Sequence, residues 1–370
     1  MARRLLLLLA LGLLAPSAAR AHPSWGIVVD AAGRVVFSDL ETVWRVDASG
    51  RLAVVRAGVS GRHVHQITLD EAGNLYGADW SYDPPRWQSA VWRITPAGEF
   101  AYLLAPTYEP PRGLTVERDR AGNSYAVETD GAGNVRLLRR APDGRLTTLA
   151  GGPAGFADGR GPAARFTSVT RLSAQPDGTL YLIDGGGALR RVSPAGEVST
   201  LARGLDRFAL ADAAGERGYG GPMGLCVDAR GAVFVADYST RRVLKVAPGG
   251  ALSVVGRAQP PWSPSGVAAG PGGELYVLEI GFEPPRTYTG PRVLRLVPDG
   301  RSDVLVEVGR PGRTGSELTK PADDADAQRE DGEADAQSAS RTHADGLVKL
   351  GLVVLGLGLL TASVLAKRRR

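Results

Sequence analysis

Residues 224–255 read GLCVDARGAVFVADYSTRRVLKVAPGGALSVV, and they hold one complete copy of a pattern that recurs along the chain. Apolar and polar residues alternate over short runs, which is typical of β-strands with one buried face. The glycine-containing segments DARGA and PGG predict tight turns after the first and third runs. The second run ends in Asp237, and the third carries Lys245 between apolar residues. The stretch therefore predicts four short antiparallel strands, a to d.

Six copies of this pattern lie between residues 25 and 308. Their second strands end in an acidic residue, and their third strands carry a cation between apolar residues. The acidic positions are Asp39, Asp79, Glu128, Asp184, Asp237 and Glu279. The cations are Arg45, Arg93, Arg139, Arg191, Lys245 and Arg295. Agreement in register at two positions of every copy indicates a true internal repeat.

A single four-stranded sheet with two apolar faces is not stable alone, whereas six arranged radially bury those faces against one another. The content of 49 glycines and 25 prolines suits a turn-rich β-protein. We therefore predict an all-β, six-bladed β-propeller over residues 22–308. An open β-sandwich is the alternative, but it would not need a six-fold period.

Four phrases carry a resemblance to a known family: GFADGRGPAARF (155–166), GNLYGAD (73–79), GAVFVADYSTRRVLKV (231–246) and RRVSPAGEVSTLARG (190–204). They resemble the NHL-repeat family and its gluconolactonase-like six-bladed relatives, over roughly residues 25–308. The resemblance implies the propeller fold. It implies much less about function, because this fold hosts many activities.

Gluconolactonase-like enzymes hold a divalent metal with a glutamate, channel asparagines and a catalytic aspartate. The repeats contain only Asn74, Asn123 and Asn134, and the first two fall in predicted a–b turns. The lactonase ligand set is therefore not recovered at most positions. Propeller lyases of the amidating type use several channel histidines around zinc, whereas the repeats here contain only His63 and His65.

The two ends of the chain read as addressing signals. Residues 1–21 have a basic start, a short apolar run and an A-x-A site, so we expect a cleaved signal peptide; an uncleaved anchor is the alternative. Residues 346–366 are apolar enough for a transmembrane helix, followed by a basic cytoplasmic tail at 367–370. A buried soluble helix is the alternative there. Residues 309–345 predict a disordered acidic linker.

These ends also carry most of the net charge of +5, so the propeller itself lacks the basic patch of a nucleic-acid-binding protein. We predict a single-pass membrane protein with its propeller on the extracytoplasmic side, periplasmic or at the cell surface, and its C-terminus in the cytoplasm. No nucleic-acid partner is expected.

The loop lengths predict which face of the propeller carries the functional site. All a–b and c–d turns are short, whereas the length variation falls in the d–a connections and in the b–c loops at 80–90 and 280–291. Three segments, 83–86, 109–112 and 283–286, share an acid-Pro-Pro-Arg sequence with aromatic neighbours. Stiff aromatic loops suit recognition. We expect this face to bind a protein, peptide or glycan, although neutral loop variation and loop-on-loop packing remain alternatives.

Six residues near this face are the candidate ligand-binding set: His63, His65, Trp80, Arg112, Met223 and Glu279. His65 aligns with Trp25, Arg112, Thr170, Met223 and Ser265 at the top of strand a in the other repeats. His63 and His65 lie two apart, so on a strand their imidazoles share one side and could hold a divalent metal. A satisfied polar pair is the alternative.

The expected function is ligand or partner binding, with no required cofactor. The alternative is a metal-dependent hydrolase, lactonase-like or lyase-like, at the channel mouth, with His63 and His65 assisted by Asp79, Glu128 or Glu279. The recurrence of the acidic strand ends favours a structural role instead, in which each accepts hydrogen bonds from its own b–c turn or pairs with a nearby cation.

Overall fold

Six antiparallel sheets make up the described part of the protein. The computed structural model describes residues 23–83, 85–109, 113, 115–206, 221–283, 287–298 and 300–309. Each sheet forms one blade, numbered 1 to 6 along the chain, and the sheets match the six repeats. The chain is therefore an all-β, six-bladed β-propeller.

The strands of blades 1 to 3 follow the chain from the axis outward. Their bounds are β1 (Ile27–Val29), β2 (Val35–Ser38), β3 (Val43–Val46) and β4 (Leu52–Arg56) in blade 1; β5 (Arg62–Leu69), β6 (Leu75–Asp83), β7 (Arg86–Ile94) and β8 (Phe100–Thr107) in blade 2; and β9 (Ser124–Thr129), β10 (Val135–Arg140) and β11 (Leu146–Gly152) in blade 3. Blade 3 has only three regular strands. Its inner edge is residues 115–118, joined to β9 by a bond from the Tyr125 amide to the Glu117 carbonyl at 2.9 Å.

Blades 4 to 6 contain the remaining strands. Their bounds are β12 (Gly159–Arg160), β13 (Val169–Ala174), β14 (Leu180–Asp184), β15 (Ala188–Val192) and β16 (Glu197–Arg203) in blade 4; β17 (Pro222–Val227), β18 (Val233–Asp237), β19 (Arg242–Val246) and β20 (Leu252–Arg257) in blade 5; and β21 (Trp262–Ala269), β22 (Leu275–Glu283), β23 (Thr287–Leu296) and β24 (Ser302–Glu307) in blade 6. The short β12 pairs with the outermost strand β16, so the connection from blade 3 covers the outer edge of blade 4.

All twelve a–b and c–d turns use the same backbone geometry. In each turn the first residue donates to the carbonyl of the fifth, and the fourth residue, a glycine, donates back to the first. Gly33, for example, has φ of 74° and bonds to Asp30 at 2.9 Å. A residue with positive φ at this point is the glycine position of a bulged hairpin turn. One face of the propeller is therefore made of short, equivalent turns, as the sequence predicted.

The hydrophobic core lies between blades, and the ring closes through side chains. Val35 and Phe37 of blade 1 share one buried cluster with Leu278 and Val293 of blade 6. Neither sheet takes a strand from the other end of the chain within the described residues. Gly266 allows the two inner strands to approach, since a Cβ there would lie 2.6 Å from the Trp25 carbonyl oxygen.

The predicted b–c loops of blades 2 and 6 are regular hairpins. Residues 80–90 extend β6 and β7, with Asp83 opposite Arg86, and residues 280–291 likewise extend β22 and β23. The segments predicted as b–c loops therefore consist largely of strand, because alternating residues such as Trp80, Tyr82 and Trp87 continue the strand pattern beyond the blade.

Among the described residues, none forms a helix of the length and apolarity needed to cross a bilayer. The expected signal peptide, transmembrane helix and basic tail, and the linker beyond residue 309, lie outside the described residues. All four stay predictions.

Candidate functional site

The inner strands surround an axial cavity of roughly 270 Å³. Its upper end, on the side of the b–c hairpins, is occupied by a cross-channel stack. Trp25 of blade 1 stacks on His65 of blade 2, with ring centroids 5.1 Å apart. The Arg171 guanidinium of blade 4 lies 4.4 Å from the centroid of the Trp25 indole. Since blades 1 and 4 face each other in a six-membered ring, this contact spans the channel mouth.

Arg171 is held in that position by backbone carbonyl groups. Its Nη1 donates to the carbonyl of Thr170 at 2.6 Å, and its Nε donates to the carbonyl of Met223. The predicted ligand residue Met223 is buried and supplies a backbone acceptor. The stack therefore joins blades 1, 2, 4 and 5 across the axis, and sequence reasoning had not singled out Arg171.

His63 and His65 lie together at this mouth, as their spacing suggested. Their rings meet edge to face with centroids 5.8 Å apart, and the pairing of β5 with β6 shifts register after Val64. Within the described residues, no three histidine, cysteine, aspartate or glutamate side chains group closely enough to hold a metal ion. Two imidazoles alone do not complete a usual protein site for a divalent metal, so the described residues at the mouth do not fit a bound metal ion.

The carboxylates proposed as helpers are engaged in ion pairs, between blades 1 and 2 for Asp79 and within one blade for Glu128 and Glu279. Asp79 accepts from Arg56 Nη1 and Nη2 at 2.8 and 2.6 Å and from Trp92 Nε1 at 2.7 Å. Glu128 pairs with Arg136 at 3.3 Å. These contacts fit the structural interpretation of the acidic strand ends.

Glu279 is a further member of this series. It is buried and bonds to Arg292 Nε at 2.8 Å and Nη2 at 2.7 Å. Burial raises the pKa of Glu279, and the Arg292 guanidinium opposes that shift. Arg292 in turn lies 4.2 Å from the ring centroid of Trp262. This carboxylate is therefore positioned to hold Arg292 against the blade.

Two other predicted residues have different outcomes. Trp80 is half-buried on β6, opposite His63 in the sheet register. Arg112 lies outside the described residues, as do residues 284–286, residues 110–111 and the side chains of Phe282 and Tyr288. The a–b turn of blade 3 begins at Asp119, six residues after Gly113, whereas Asp30 follows Gly26 by four, so the alignment of this copy is shifted by two residues at the turn. The equivalence of Arg112 with His65 stays a prediction.

Glu117 is the functional candidate that sequence reasoning missed. It is 4% exposed and lines the axial cavity. Its Oε2 accepts from the Ala174 amide at 2.6 Å, and its Oε1 accepts from Gln66 Nε2. It thus links blades 2, 3 and 4. Burial raises the pKa of Glu117 to about 7, although both hydrogen bonds act to lower it.

A sequence signal for Glu117 exists once the register is corrected. The turn residues Asp30 and Asp119 are equivalent, so Glu117 occupies the position of Val28 in blade 1. The other equivalents are Thr68, Ser173, Cys226 and Ala268. One charged residue among five small or apolar ones is the kind of exception that marks a special environment.

The Glu117→Gln variant should lose a pH dependence of stability. Below the ordinary pKa of 4.5 the carboxyl is protonated in both folded and unfolded chains; as pH rises through about 7, its stabilising contribution is lost. Between pH 4 and pH 8, the free energy of unfolding of the variant should rise by about 3 kcal/mol relative to that of the wild type. Urea titrations at several pH values measure this difference. A difference between the two proteins that does not vary with pH would contradict it.

A second candidate region lies on blade 2 and combines its b–c hairpin with residues of its outer strand β8. We define the blade 2 surface as Arg62, Tyr82, Arg86, Trp87, Phe100, Tyr102, Leu103 and Tyr108. Tyr82 and Trp87 pack across the hairpin with centroids 5.0 Å apart, and Arg86 lies 4.0 Å from the Tyr108 ring centroid. Phe100, Tyr102, Leu103 and Tyr108 are 38–44% exposed. This surface is the largest grouping of exposed aromatic side chains among the described residues.

The sequence and the fold were compared with those of known proteins. No family model and no curated protein matches the sequence. Among solved structures, virginiamycin B lyase from Staphylococcus aureus is 14% identical with a TM-score of 0.44, covering 76% of this chain and 83% of that chain. A gluconolactonase from Xanthomonas campestris is 16% identical with a TM-score of 0.45, covering 69% and 83%.

A chain of a nidogen/laminin complex is 14% identical with a TM-score of 0.47, covering 73% and 92%. The likeness concerns the fold alone. The six sheets described above establish that fold for this chain, and its site residues are those that its own geometry provides.

Proposed function

We propose that this protein is an exported, membrane-anchored binding propeller that recognises a protein partner through the blade 2 surface. The signal-like residues 1–21 and the apolar residues 346–366 support the export and the anchor. The observation that supports this proposal most directly is that the outer strand β8 contains three exposed large apolar side chains, Phe100, Tyr102 and Leu103.

The outer strands of the other blades differ from β8 in charge. β8 has no charged residue in FAYLLAPT, whereas β4, β16, β20 and β24 each contain at least one. The uncharged β11 has four consecutive buried residues at its end. Exposed edge strands normally carry charges that prevent pairing with other chains. An uncharged aromatic edge therefore favours a physiological partner.

The composition of the blade 2 surface also suits recognition. Tyrosine, tryptophan and arginine are the residues that dominate the binding energy of interfaces. Contacts within the surface hold these groups in place before binding, for example the bond from Arg62 Nη1 to the Tyr102 hydroxyl at 3.2 Å and the bond from the Tyr108 hydroxyl to Asp83. Ordered side chains lose less entropy when a partner docks.

The enzyme alternative has less support from the site. A metal-dependent hydrolase or lyase at the channel mouth needs a third ligand beside His63 and His65. Within the described residues no such group of three is present, and the proposed helpers Asp79 and Glu279 are engaged in ion pairs. The mouth itself is occupied by the stack of Trp25, His65 and Arg171.

Site-directed photo-crosslinking in native membranes tests the binding proposal. A photoreactive residue at position 102 should give one discrete crosslinked species, because β8 lies at the interface. The same residue at Val304, which is 50% exposed on the outer strand of blade 6, should give none. Adding Phe100→Lys should remove the species. Equal labelling from both positions, or none from position 102, would contradict the proposal.

A further inference from the structure

The axial cavity has two chemically different walls. Its polar side chains come from blades 2, 3 and 4: Gln66, Thr68, Glu117, Thr170, Arg171, Ser173 and Gln175. Blades 5, 6 and 1 contribute apolar lining, including Leu225, Val267, Ala268 and Val28; among their described lining residues, the Cys226 thiol and the Trp25 indole nitrogen are the only polar side-chain groups. A propeller axis needs no such division for stability, whereas a site for an amphipathic molecule does.

Glu117 gives the polar wall its most specific group. Its carboxyl is buried, and its described partners are two neutral donors, the Gln66 amide and the Ala174 backbone amide. A carboxylate oxygen can accept more than one hydrogen bond. A buried carboxylate with neutral partners keeps a large desolvation cost, and a cation placed beside it would offset that cost.

The charged and titratable side chains lining the cavity are Glu117, Arg171 and Cys226. Arg171 is held at the mouth end of the cavity by hydrogen bonds to the carbonyls of Thr170 and Met223 and by a cation–π contact with Trp25. Cys226 lies on the apolar side, and burial raises the pKa of its thiol well above the usual range, so it stays neutral. The acidic group of the polar wall is therefore Glu117.

We propose that the axial cavity is a binding site for a small amphipathic amine, with the ammonium group bonded to Glu117 and the hydrocarbon part against blades 5, 6 and 1. The volume of roughly 270 Å³ equals about nine water molecules at ~30 Å³ each. It therefore suits a molecule with a short branched or aromatic hydrocarbon part. This site is independent of the partner-binding surface on blade 2.

Isothermal titration of the full-length protein with three probes of one shape tests the site. 3-Methylbutylamine should bind at pH 8, whereas 3-methylbutan-1-ol and 3-methylbutanoate should bind at least about tenfold more weakly, because they lack the cation. Glu117→Gln should weaken amine binding by about tenfold or more and leave the alcohol unchanged. Glu99→Gln, in an exposed c–d turn, is the matched control.

A pH series on the wild type provides a second readout that needs no variant. The amine stays protonated from pH 6 to pH 8, while Glu117 changes from mostly neutral to mostly ionised. Amine affinity should therefore rise about tenfold over this range, and alcohol affinity should stay constant.

Three results would overturn the proposal: no binding of the amine, equal affinity for amine and alcohol, or tighter binding of the carboxylate. An amine affinity that Glu117→Gln and pH both leave unchanged would also overturn it. Loss of the crosslink at blade 2 has no bearing on these outcomes.

Discussion

Replacing Arg190 by alanine is expected to lower the free energy of unfolding by about 3–5 kcal/mol, the cost of leaving one partner of a buried ion pair alone. Arg190 is fully buried. Its Nη1 donates to Asp184 at 2.8 Å, and its Nη2 donates to Asp158 at 2.9 Å and to the Ala157 carbonyl at 2.7 Å. The variant leaves Asp184 buried with only backbone amides as donors.

The effect should also be local. Arg190 is one of the contacts that join residues 155–166 to blade 4, together with the pairing of β12 with β16, and its guanidinium also lies 4.3 Å from the Phe156 ring centroid. Urea unfolding measures the loss of stability, and hydrogen exchange should show faster exchange at residues 155–166 than elsewhere in blade 4.

Arg191→Ala is the matched control for this variant. Arg191 is the neighbouring residue on β15, but its side chain is exposed, so its replacement should change the free energy of unfolding by less than about 0.5 kcal/mol. Equal losses for the two variants would show that the buried ion pair does not determine the stability of blade 4.

These two neighbours show what the sequence could and could not predict. The repeat pattern correctly indicated six blades and short equivalent turns, because glycine placement and alternation are local properties of each strand and turn. The pattern singled out Arg191, because every copy has a cation at the equivalent position. The pattern did not single out Arg190. This residue is important because it pairs with Asp158, which lies in the connection between blades 3 and 4 and is distant in sequence.

Glu117 was missed for a different reason. Blade 3 has two more residues than blade 1 between its Gly113 and the a–b turn at Asp119. Aligning the copies at their first glycine matches Glu117 with the turn residue Asp30 of blade 1 and hides its place on the inner strand. The backbone bonds of the turn correct the register and move Glu117 into the channel. An insertion inside a strand is invisible to a period count, because the apolar alternation continues through it.

The candidate mouth was predicted in part. Spacing brought His63 and His65 to the channel, since residues two apart on a strand share a side. The repeat alignment also placed Trp25 at the top of strand a, but its stacking on His65 and its contact with Arg171 of blade 4 join different blades, so no local pattern predicts these contacts. The sequence therefore predicted where the channel mouth lies, but not that Arg171 from the opposite blade occupies it.

Replacing Phe37 by alanine is expected to lower the free energy of unfolding by about 3–5 kcal/mol, since it removes a fully buried ring from a core. Phe37 lies in the cluster that joins blade 1 to blade 6, with Leu278 and Val293 as neighbours. Because no described strand is shared between these two blades, side-chain packing closes the ring. The variant should therefore open the ring at this junction first.

Hydrogen exchange distinguishes this from general destabilisation. Amides of β1 to β4 and β21 to β24 should exchange faster than those of blades 3 and 4 in Phe37→Ala. Leu182→Ala, at an equally buried position in the cluster between blades 3 and 4, should instead accelerate exchange in those two blades. If Phe37→Ala accelerates all six blades equally, the ring opens as one cooperative unit, and the junction of blades 1 and 6 is not its weakest point.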